Sequence, residues 1–188
     1  SGARGERVAE REGGSVFLVG PMGAGKTAVG RRLARMLGAR FVDSDDAVVE
    51  RTGVDIAYIF EKEGEAGFRQ RERDAIDRLT LEPGIVLATG GGAVLLPENR
   101  AWLAARGTVV YLQASVAQQL ARTRRGTHRP LLRTADPAAR LAELMSLREP
   151  LYREVAHLVV ATDGRKVQSV AAEIAARLPD LHLRKEQA

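Results

Sequence analysis

Cysteine is absent from the 188-residue sequence, which excludes a disulfide framework and a thiolate metal site. Long apolar runs are absent as well, since none approaches the roughly 20 residues that cross a bilayer. Residues 1–14 are polar and charged and lack the apolar segment of a signal peptide. We therefore expect a cytoplasmic protein with no membrane partner and a disordered N-terminal segment over residues 1–14.

Aromatic residues are scarce, with four Phe, three Tyr and one Trp. Proteins that bind single-stranded nucleic acid stack bases on such side chains, so the scarcity argues against that class despite a formal net charge of +5. The three histidines, His128, His157 and His182, are scattered, which gives little support to a histidine metal site or a Ser-His-Asp arrangement. We expect no nucleic-acid partner, because polyphosphate and an anionic substrate also call for positive charge.

The most specific pattern is a glycine-rich stretch from Gly20 to Thr27 that reads G-x-x-x-x-G-K-[ST]. Its glycines leave room for backbone N–H groups to converge on the phosphates of a nucleotide, and the N-terminus of a following helix adds positive potential. In this pattern Lys26 supplies a charge for the β- and γ-phosphates, and Thr27 supplies a hydroxyl for Mg²⁺. The stretch predicts a phosphate-binding P-loop.

The neighbours of this stretch favour a P-loop over an ordinary glycine turn. Residues 15–19 form an apolar run suited to a buried strand. The helix predicted after Lys26 ends at Gly38 as its C-cap, and its apolar face consists of Val29, Leu33, Met36 and Leu37. The motif requires this order of strand, turn and helix.

Acidic residues follow the next predicted strand, residues 40–42. Asp43, Ser44, Asp45 and Asp46 stand at its carboxyl end, immediately before another helical segment. Open α/β sheets bind ligands just outside the carboxyl ends of their strands. One of these residues is expected to cap the helix, which leaves further carboxylates for a ligand or a metal ion.

Three consecutive glycines follow the strand predicted at residues 85–88. Gly90, Gly91 and Gly92 allow a close approach of the backbone, and a plain surface turn would not need all three. We therefore predict a loop that faces the ligand. In many P-loop enzymes an aspartate at this strand end helps to hold Mg²⁺, and since none stands here, Asp43 is the nearest candidate for that role.

The remaining segments alternate between short strands and helices. Strands are predicted at residues 108–112 and 158–161, and helices at 55–80, 97–106, 115–121, from Asp136-Pro137 onward, and finally up to Pro179. This alternation predicts an α/β fold with a five-stranded parallel sheet, helices on both faces and right-handed crossovers. We expect one domain over residues 15–178 and a tail over 179–188.

Several details of the helices follow from their patterns. Gly64 and Gly67 are expected to break the helix over residues 55–80. The charged residues from Arg69 to Glu72 are compatible with a solvated helix face, which is the favoured interpretation for Arg71 and Arg73. The residues expected to face the core are Val116 and Leu120 in one helix and Leu141, Leu144, Met145 and Leu147 in the helix after Pro137.

A basic segment over residues 122–133 lacks a core-facing period. Long loops in compact domains are usually functional or disordered. The functional alternative is a lid, over residues 122–136, that closes on the nucleotide and brings Arg129 to the transferring phosphoryl group. The other alternative is a solvated loop.

Taken together, these motifs resemble the shikimate kinase family over residues 15–178. The resemblance rests on GPMGAGKT, DSD at Asp43–Asp45, FRxxE at Phe68–Glu72, GGG at 90–92, RPLL at Arg129–Leu132 and RxPLY at Arg148–Tyr152. It implies a P-loop kinase fold, a three-layer sandwich with a lid and a substrate-binding region at residues 44–80. It also implies transfer of the γ-phosphoryl of ATP to the 3-hydroxyl of shikimate, in chorismate and aromatic amino-acid biosynthesis.

The resemblance also implies roles for individual residues. The catalytic set would be Lys26, Asp45 and Arg129, and the metal ligands would be Thr27 and Asp43. Nucleotide contacts would come from Gly23, Ala24, Gly25, Lys26, Thr27, Ala28, Arg122, Arg129 and Arg165. Substrate contacts would come from Asp45, Arg69, Gly90, Gly91, Gly92 and Arg148. Ala28 departs from relatives that often have Lys-Ser-Thr at this point, but the metal ligand keeps its hydroxyl.

Two alternatives stay open at this level. Another P-loop small-molecule kinase, such as a gluconate kinase, would keep the P-loop without needing an arginine pair for a ring carboxylate. A non-catalytic nucleotide- or RNA-binding module would leave Asp45 and the three glycines unexplained. The short chain and its polar ends favour a monomer.

Overall fold

The computed structural model describes residues 14–123 and 134–186, with side chains described up to residue 179. The predicted N-terminal segment up to residue 13 and residues 124–133 of the predicted lid lie outside these ranges. No helix in the described ranges combines the length and the hydropathy that crossing a membrane would require.

Five parallel strands form one sheet, as the alternation of segments predicts. In chain order they are β1 (Val16–Val19), β2 (Arg40–Asp43), β3 (Ile85–Ala88), β4 (Thr108–Gln113) and β5 (Leu158–Ala161). The order across the sheet is β2-β3-β1-β4-β5, and every neighbouring pair is parallel. β1 therefore occupies the centre and is hydrogen-bonded on both sides.

The helices connect these strands. They are α1 (Lys26–Leu37), α2 (Ser44–Thr52), α3 (Ile56–Leu79), α4 (Pro97–Arg106), α5 (Val116–Thr123), α6 (Pro137–Val155) and α7 (Val167–Glu186), with a short 3₁₀ helix at Ala93–Leu95.

Alternate residues of β1 point into two separate cores. Val16 and Leu18 pack with α1 and α7, whereas Phe17 and Val19 pack with α3, α4 and α6. All four side chains are buried, and each large apolar side chain that leaves water contributes roughly 1.5–3 kcal/mol. The two cores make the predicted three-layer sandwich, with helices on both faces of the sheet.

Caps at the helix ends follow the local sequence. The N–H of Gly38 bonds to the carbonyls of Ala34 and Arg35, which confirms the predicted end of α1. The carboxylate of Asp136 accepts from the N–H of Ala139, which confirms the predicted start of α6. At α2 the cap is Asp43, which ties this residue's position to the helix that follows it.

Some predicted core positions are wrong. Met36 and Leu37 are 45% and 42% exposed, because the buried face of α1 consists of Val29, Gly30, Leu33 and Ala34. Leu147 is 63% exposed, because the buried stripe of α6 continues through Arg148 instead. Arg148 thus occupies the buried position that the apolar spacing of the helix assigns to Leu147.

The short helix α5 also buries different residues from those predicted. Val116 and Leu120 are half-buried, while Gln119 and Thr123 are fully buried. The side-chain amide of Gln119 donates to the Ala114 carbonyl at 3.0 Å, and the Thr123 hydroxyl donates to the Gln119 carbonyl at 2.7 Å. Polar side chains can face this core because each finds a backbone partner.

Of the predicted helix breaks and ends, the break at Gly67 and the end at Pro179 are absent. Gly64 does break the regular backbone of α3, with φ 70° and ψ −178°, but Gly67 stays helical. Glycine serves at Gly67 for close approach, because a Cβ there would lie 2.4 Å from the Cβ of Glu63. The last helix passes through Pro179 to Glu186, so its predicted end is wrong. Proline removes one intrahelical hydrogen bond without always ending a helix.

Replacing Gly30 in α1 by alanine should destabilise the fold by about 1 to 3 kcal/mol, because this site is already filled. A Cβ there would lie 2.6 Å from the Phe41 ring and 3.2 Å from Leu18 Cδ1. Urea unfolding measures the change. In a Phe41→Ala background the cost should shrink, because the ring is gone, and an alanine variant as stable as the parent would contradict this packing.

Candidate active site

A cleft of about 580 Å³ opens at the carboxyl end of the sheet. The loops after β1, β2 and β3 line it together with one side of α3 and with residues of α5 and α6. The predicted site residues that line it are Gly23, Gly25, Lys26, Thr27, Ala28, Asp43, Asp45, Arg69, Gly90, Gly91, Gly92, Arg122 and Arg148. Residues far apart in the sequence therefore share one cavity.

The P-loop turns from β1 into α1 at one end of the cleft. Gly25 has φ 88°, a left-handed conformation that side chains disfavour, and it directly precedes the first turn of α1. That turn contains no acidic residue of its own, and the positive end of the helix dipole faces the cleft. The ammonium group of Lys26 donates to the carbonyls of Gly20 and Pro21, at 2.5 and 2.9 Å. These features suit a polyphosphate.

Thr27 and Asp43 meet at the same end. The Thr27 hydroxyl donates to Asp43 Oδ2 at 3.2 Å, while Asp43 Oδ1 accepts from the N–H groups of Asp45 and Asp46. In the described ranges no cluster of three His, Cys, Asp or Glu side chains could hold a metal by itself. A hydroxyl and a carboxylate nevertheless fit Mg²⁺, which takes one or two protein oxygens and completes its shell with water and phosphate.

The three glycines after β3 lie against four charged side chains. A Cβ at Gly90 would lie 2.8 Å from Glu72 Oε2 and 3.1 Å from Asp45 Oδ1. At Gly92 it would lie 2.3 Å from the Arg69 guanidinium, and at Gly91 it would lie 3.4 Å from that of Arg148. At Gly90 and Gly92 a larger residue would displace these charged groups, whereas the distance at Gly91 is an ordinary contact.

Hydrogen bonds hold the start of this glycine loop. The backbone N–H and the hydroxyl of Thr89 both donate to the Leu18 carbonyl of β1, at 3.1 and 2.8 Å. The N–H of Gly90 donates to the Ser44 hydroxyl at 3.2 Å. The loop is thus tied to β1 and to the start of α2.

Arg69 and Glu72 form a buried ion pair, so neither lies on the solvated face of the helix. Arg69 Nη1 lies 3.0 Å from Glu72 Oε1, and Arg69 Nη2 lies 3.2 Å from Glu65 Oε1. Glu72 is fully buried, whereas Arg71 lies on the exposed side and pairs there with Glu63. One face of the helix therefore presents Arg69 and Glu72 to the cleft, and the opposite face presents Arg71 to solvent.

The carboxyl group of Glu72 has an unusual proton affinity. Burial raises its pKa from 4.5 to about 7; the Arg69 guanidinium opposes the rise, Asp45 adds to it, and Arg148 opposes it. Oε2 has no hydrogen-bond partner among the described residues. Glu72 is therefore close to its titration midpoint at neutral pH.

Arg148 is the second buried guanidinium of the cleft. Burial lowers its pKa, and repulsion from Arg69 lowers it further, which shows that the two cations sense each other. Interaction with the Tyr152 hydroxyl raises the pKa of Arg148 and partly offsets these effects. Two cations held close together in a poorly solvated site favour the binding of an anion between them.

The other predicted arginines differ in their positions. Arg122 Nη1 donates to the Gly23 carbonyl at 3.2 Å, so this side chain lies across the P-loop. Arg165 is outside the cleft lining and bonds instead to Ala161, Glu173 and Ser169. Arg129 lies outside the described residues.

Further residues of the cleft were absent from the predicted site. They are Met22, Asp46, Ile56, Phe60, Phe68, Glu72, Thr89 and Thr123. Ile56 and Phe60 follow the apolar spacing of an ordinary helix face, which gives no sign of a ligand. Glu72 stands in the FRxxE motif three positions after Arg69, so it lies on the same face of the helix as that arginine. This spacing was the available signal for a buried carboxylate.

The chain is similar to known proteins over most of its length. The family model for shikimate kinase matches residues 22–179. A curated shikimate kinase of Halorhodospira halophila is 60% identical over 159 residues, which cover 85% of this chain and 90% of that protein. Another from Pseudomonas syringae pv. tomato is 56% identical over 167 residues, covering 89% and 97%. A structure of shikimate kinase from Acinetobacter baumannii in complex with shikimate has a TM-score of 0.89 and 47% identity, covering 92% of this chain and 97% of that one.

Replacing Glu72 by glutamine should change how stability depends on pH. The folded parent holds this proton up to about pH 7, whereas a glutamate of ordinary pKa 4.5 releases it earlier. Between these values the folded state binds more protons than the unfolded chain, so the parent loses stability as the pH rises. Glutamine cannot titrate, so the variant should gain up to about 3 kcal/mol relative to the parent over that interval.

Unfolding by urea at several pH values measures this difference. Glu65→Gln is the matched control, because Glu65 bonds to the same arginine but is exposed, and it should follow the parent. Parallel pH profiles for the parent and the Glu72 variant would contradict a buried, titrating carboxyl group.

Proposed function

Because the chain belongs to the shikimate kinase family, whose members are ATP-dependent kinases acting on shikimate, we propose that the cleft is its active site. In this site the γ-phosphoryl of ATP passes to the 3-hydroxyl of shikimate, yielding shikimate 3-phosphate and ADP. One observation carries the proposal: a cleft with a P-loop at one end holds two buried arginines, Arg69 and Arg148, beside the carboxylate of Asp45.

At the nucleotide end, the P-loop backbone and Lys26 bind the phosphates of ATP. Lys26 can turn from the Gly20 and Pro21 carbonyls to phosphate oxygens, because its flexible stem carries a point charge. Thr27 and Asp43 would hold Mg²⁺, which would supply positive charge to neutralise the phosphates of ATP. Arg122 lies across the P-loop and contacts the nucleotide.

At the other end, Arg69 and Arg148 bind the carboxylate of shikimate. A guanidinium binds a carboxylate through two parallel N–H bonds, which fixes orientation as well as position. The glycine loop lets the ring approach the backbone, and Asp45 accepts a hydrogen bond from the ring hydroxyls. That contact holds the 3-hydroxyl in line with the phosphoryl group and gives its proton an acceptor.

Several further roles are proposals from the family resemblance. Residues 122–136 act as a lid that brings Arg129 to the transferred charge, and residues 44–80 as the substrate-binding region. Arg165 stays a predicted nucleotide contact, without support from the lining of the cleft. We infer a cytoplasmic monomer in chorismate and aromatic amino-acid biosynthesis, with no nucleic-acid or membrane partner.

A coupled ADP-release assay with ATP and Mg²⁺ tests the function. Shikimate should support turnover at about 1 to 100 per second, whereas gluconate, quinate and no acceptor should give little. Lys26→Met is the control for an active site at the P-loop and should abolish the signal while the protein stays folded. ADP release that does not respond to shikimate would refute the proposed substrate.

Replacing Arg148 by lysine tests the carboxylate contact. Lysine keeps the charge but not the planar pair of donors, so the KM for shikimate should rise about 10- to 100-fold, as expected for a lost charged hydrogen bond. The KM for ATP should stay within about twofold. Steady-state kinetics measure both values.

Arg153→Lys on the same helix is the matched control. Arg153 pairs with Glu149 and is exposed, so its replacement should leave both KM values unchanged. An equal rise in the two KM values of the Arg148 variant would argue against a specific contact with the carboxylate.

A further inference from the structure

Two fully buried tyrosines pack against each other beside the cleft. Tyr111 of β4 and Tyr152 of α6 have ring centroids 5.1 Å apart at an angle of 31°. Burial raises the pKa of both hydroxyl groups, that of Tyr152 to about 12, so both are O–H donors at neutral pH. They share one core but donate to different partners.

The two hydroxyl groups donate hydrogen bonds to different parts of the structure. Tyr111 donates to Glu149 Oε2 at 2.5 Å, and Glu149 is in turn paired with the exposed Arg153. Tyr152 donates to the carbonyl of Gly91 at 2.5 Å. Only the second bond reaches a residue that lines the cleft.

Tyr152 also lies beside Arg148. The two residues are four positions apart in α6 and so share one face of the helix. The hydroxyl of Tyr152 interacts with the Arg148 guanidinium, and that guanidinium lies against Gly91, where a Cβ would be 3.4 Å from Nη1. Gly91, Arg148 and the Tyr152 hydroxyl therefore meet at one point.

The glycine loop needs such an anchor because it has no side chains of its own to pack. Its first residue is tied to Ser44, and the carbonyl of Gly90 accepts from the N–H of Ala93. The middle carbonyl is held by Tyr152. A donor fixed by a rigid, buried ring limits the movement of the loop where it contacts Arg148.

We propose that Tyr152 is a positioning residue for substrate binding. Its hydroxyl fixes the Gly91 carbonyl and orients the Arg148 guanidinium, so that this group presents its N–H donors to the substrate carboxylate in one geometry. The inference rests on the proposed role of Arg148 as a carboxylate ligand and adds the contact that orients it.

Tyr152→Phe removes the hydroxyl and keeps the ring in the core. The KM for shikimate should rise about fivefold, which is the size expected for one lost hydrogen bond. The KM for ATP and the value of kcat should stay within about twofold, because the phosphate end and the reacting groups are unchanged. Steady-state kinetics with each substrate varied in turn measure kcat and the two KM values.

Tyr111→Phe is the matched control, since it removes a hydroxyl from the same ring pair. Both variants should lose similar stability in urea unfolding, but the Tyr111 variant should keep the parent's KM for shikimate. Equal KM changes in the two variants, or a Tyr152 variant with the parent's KM, would overturn the proposal. A parallel rise in the KM for ATP would also overturn it, because that result indicates a general structural defect.

A double variant tests whether Tyr152 acts through Arg148. In an Arg148→Lys background, Tyr152→Phe should raise the KM for shikimate by less than about twofold, because the group that it orients is already lost. Fully multiplicative effects would overturn the proposal. Failure of the proposed function itself is distinguishable, because the parent would then show no shikimate-dependent turnover or the Arg148→Lys variant would keep the parent's KM.

Discussion

The parallel direction of the five strands is the constraint on which the rest of this structure depends. Strands that run the same way end at the same edge, so the loops after β1, β2 and β3 must meet there. The three segments are the P-loop, the acidic segment at Asp43–Asp45, where β2 passes directly into α2, and the glycine loop. Because β1 is central and buried on both faces, the P-loop leaves the most restrained strand of the sheet.

Buried charge is the second constraint, and the cleft satisfies it only in part. Arg69 has ion pairs with Glu72 and Glu65, whereas Arg148 is buried beside a tyrosine hydroxyl, repelled by Arg69 and attracted by Glu65 without a direct ion pair among the described residues. Taking an ion out of water costs several kcal/mol unless a partner compensates it. The substrate carboxylate that we propose for this site would supply that compensation, so an arrangement that costs stability without a bound anion would favour binding. The glycine loop makes this possible by letting backbone approach the charged groups closely.

Much of the site could be predicted because its residues stand in loops with demanding local requirements. The P-loop, the strand-end carboxylates and the three glycines each form a short pattern whose residue types follow from the backbone they must adopt. Side chains on helices were harder to assign. Arg69 and Arg71 lie two positions apart in one charged segment, yet the first is buried and the second exposed, since the rotation of α3 after Gly64 decides which side faces the cleft. On α6 the buried stripe passes through Arg148, and Leu147, which hydrophobic periodicity assigns to the core, is exposed.

The sequence by itself determined the order of strands and helices, the parallel sheet, the family and most of the residues that line the cleft. Each of these follows from local patterns, namely short apolar runs, helical spacing, turn glycines and motifs in a set order. Only the tertiary structure decided which charges pair, the burial that raises the pKa of Glu72, and the meeting of the Tyr152 hydroxyl with Gly91 and Arg148. Those features depend on distances between residues far apart in the chain, and packing sets such distances whereas local residue preferences do not.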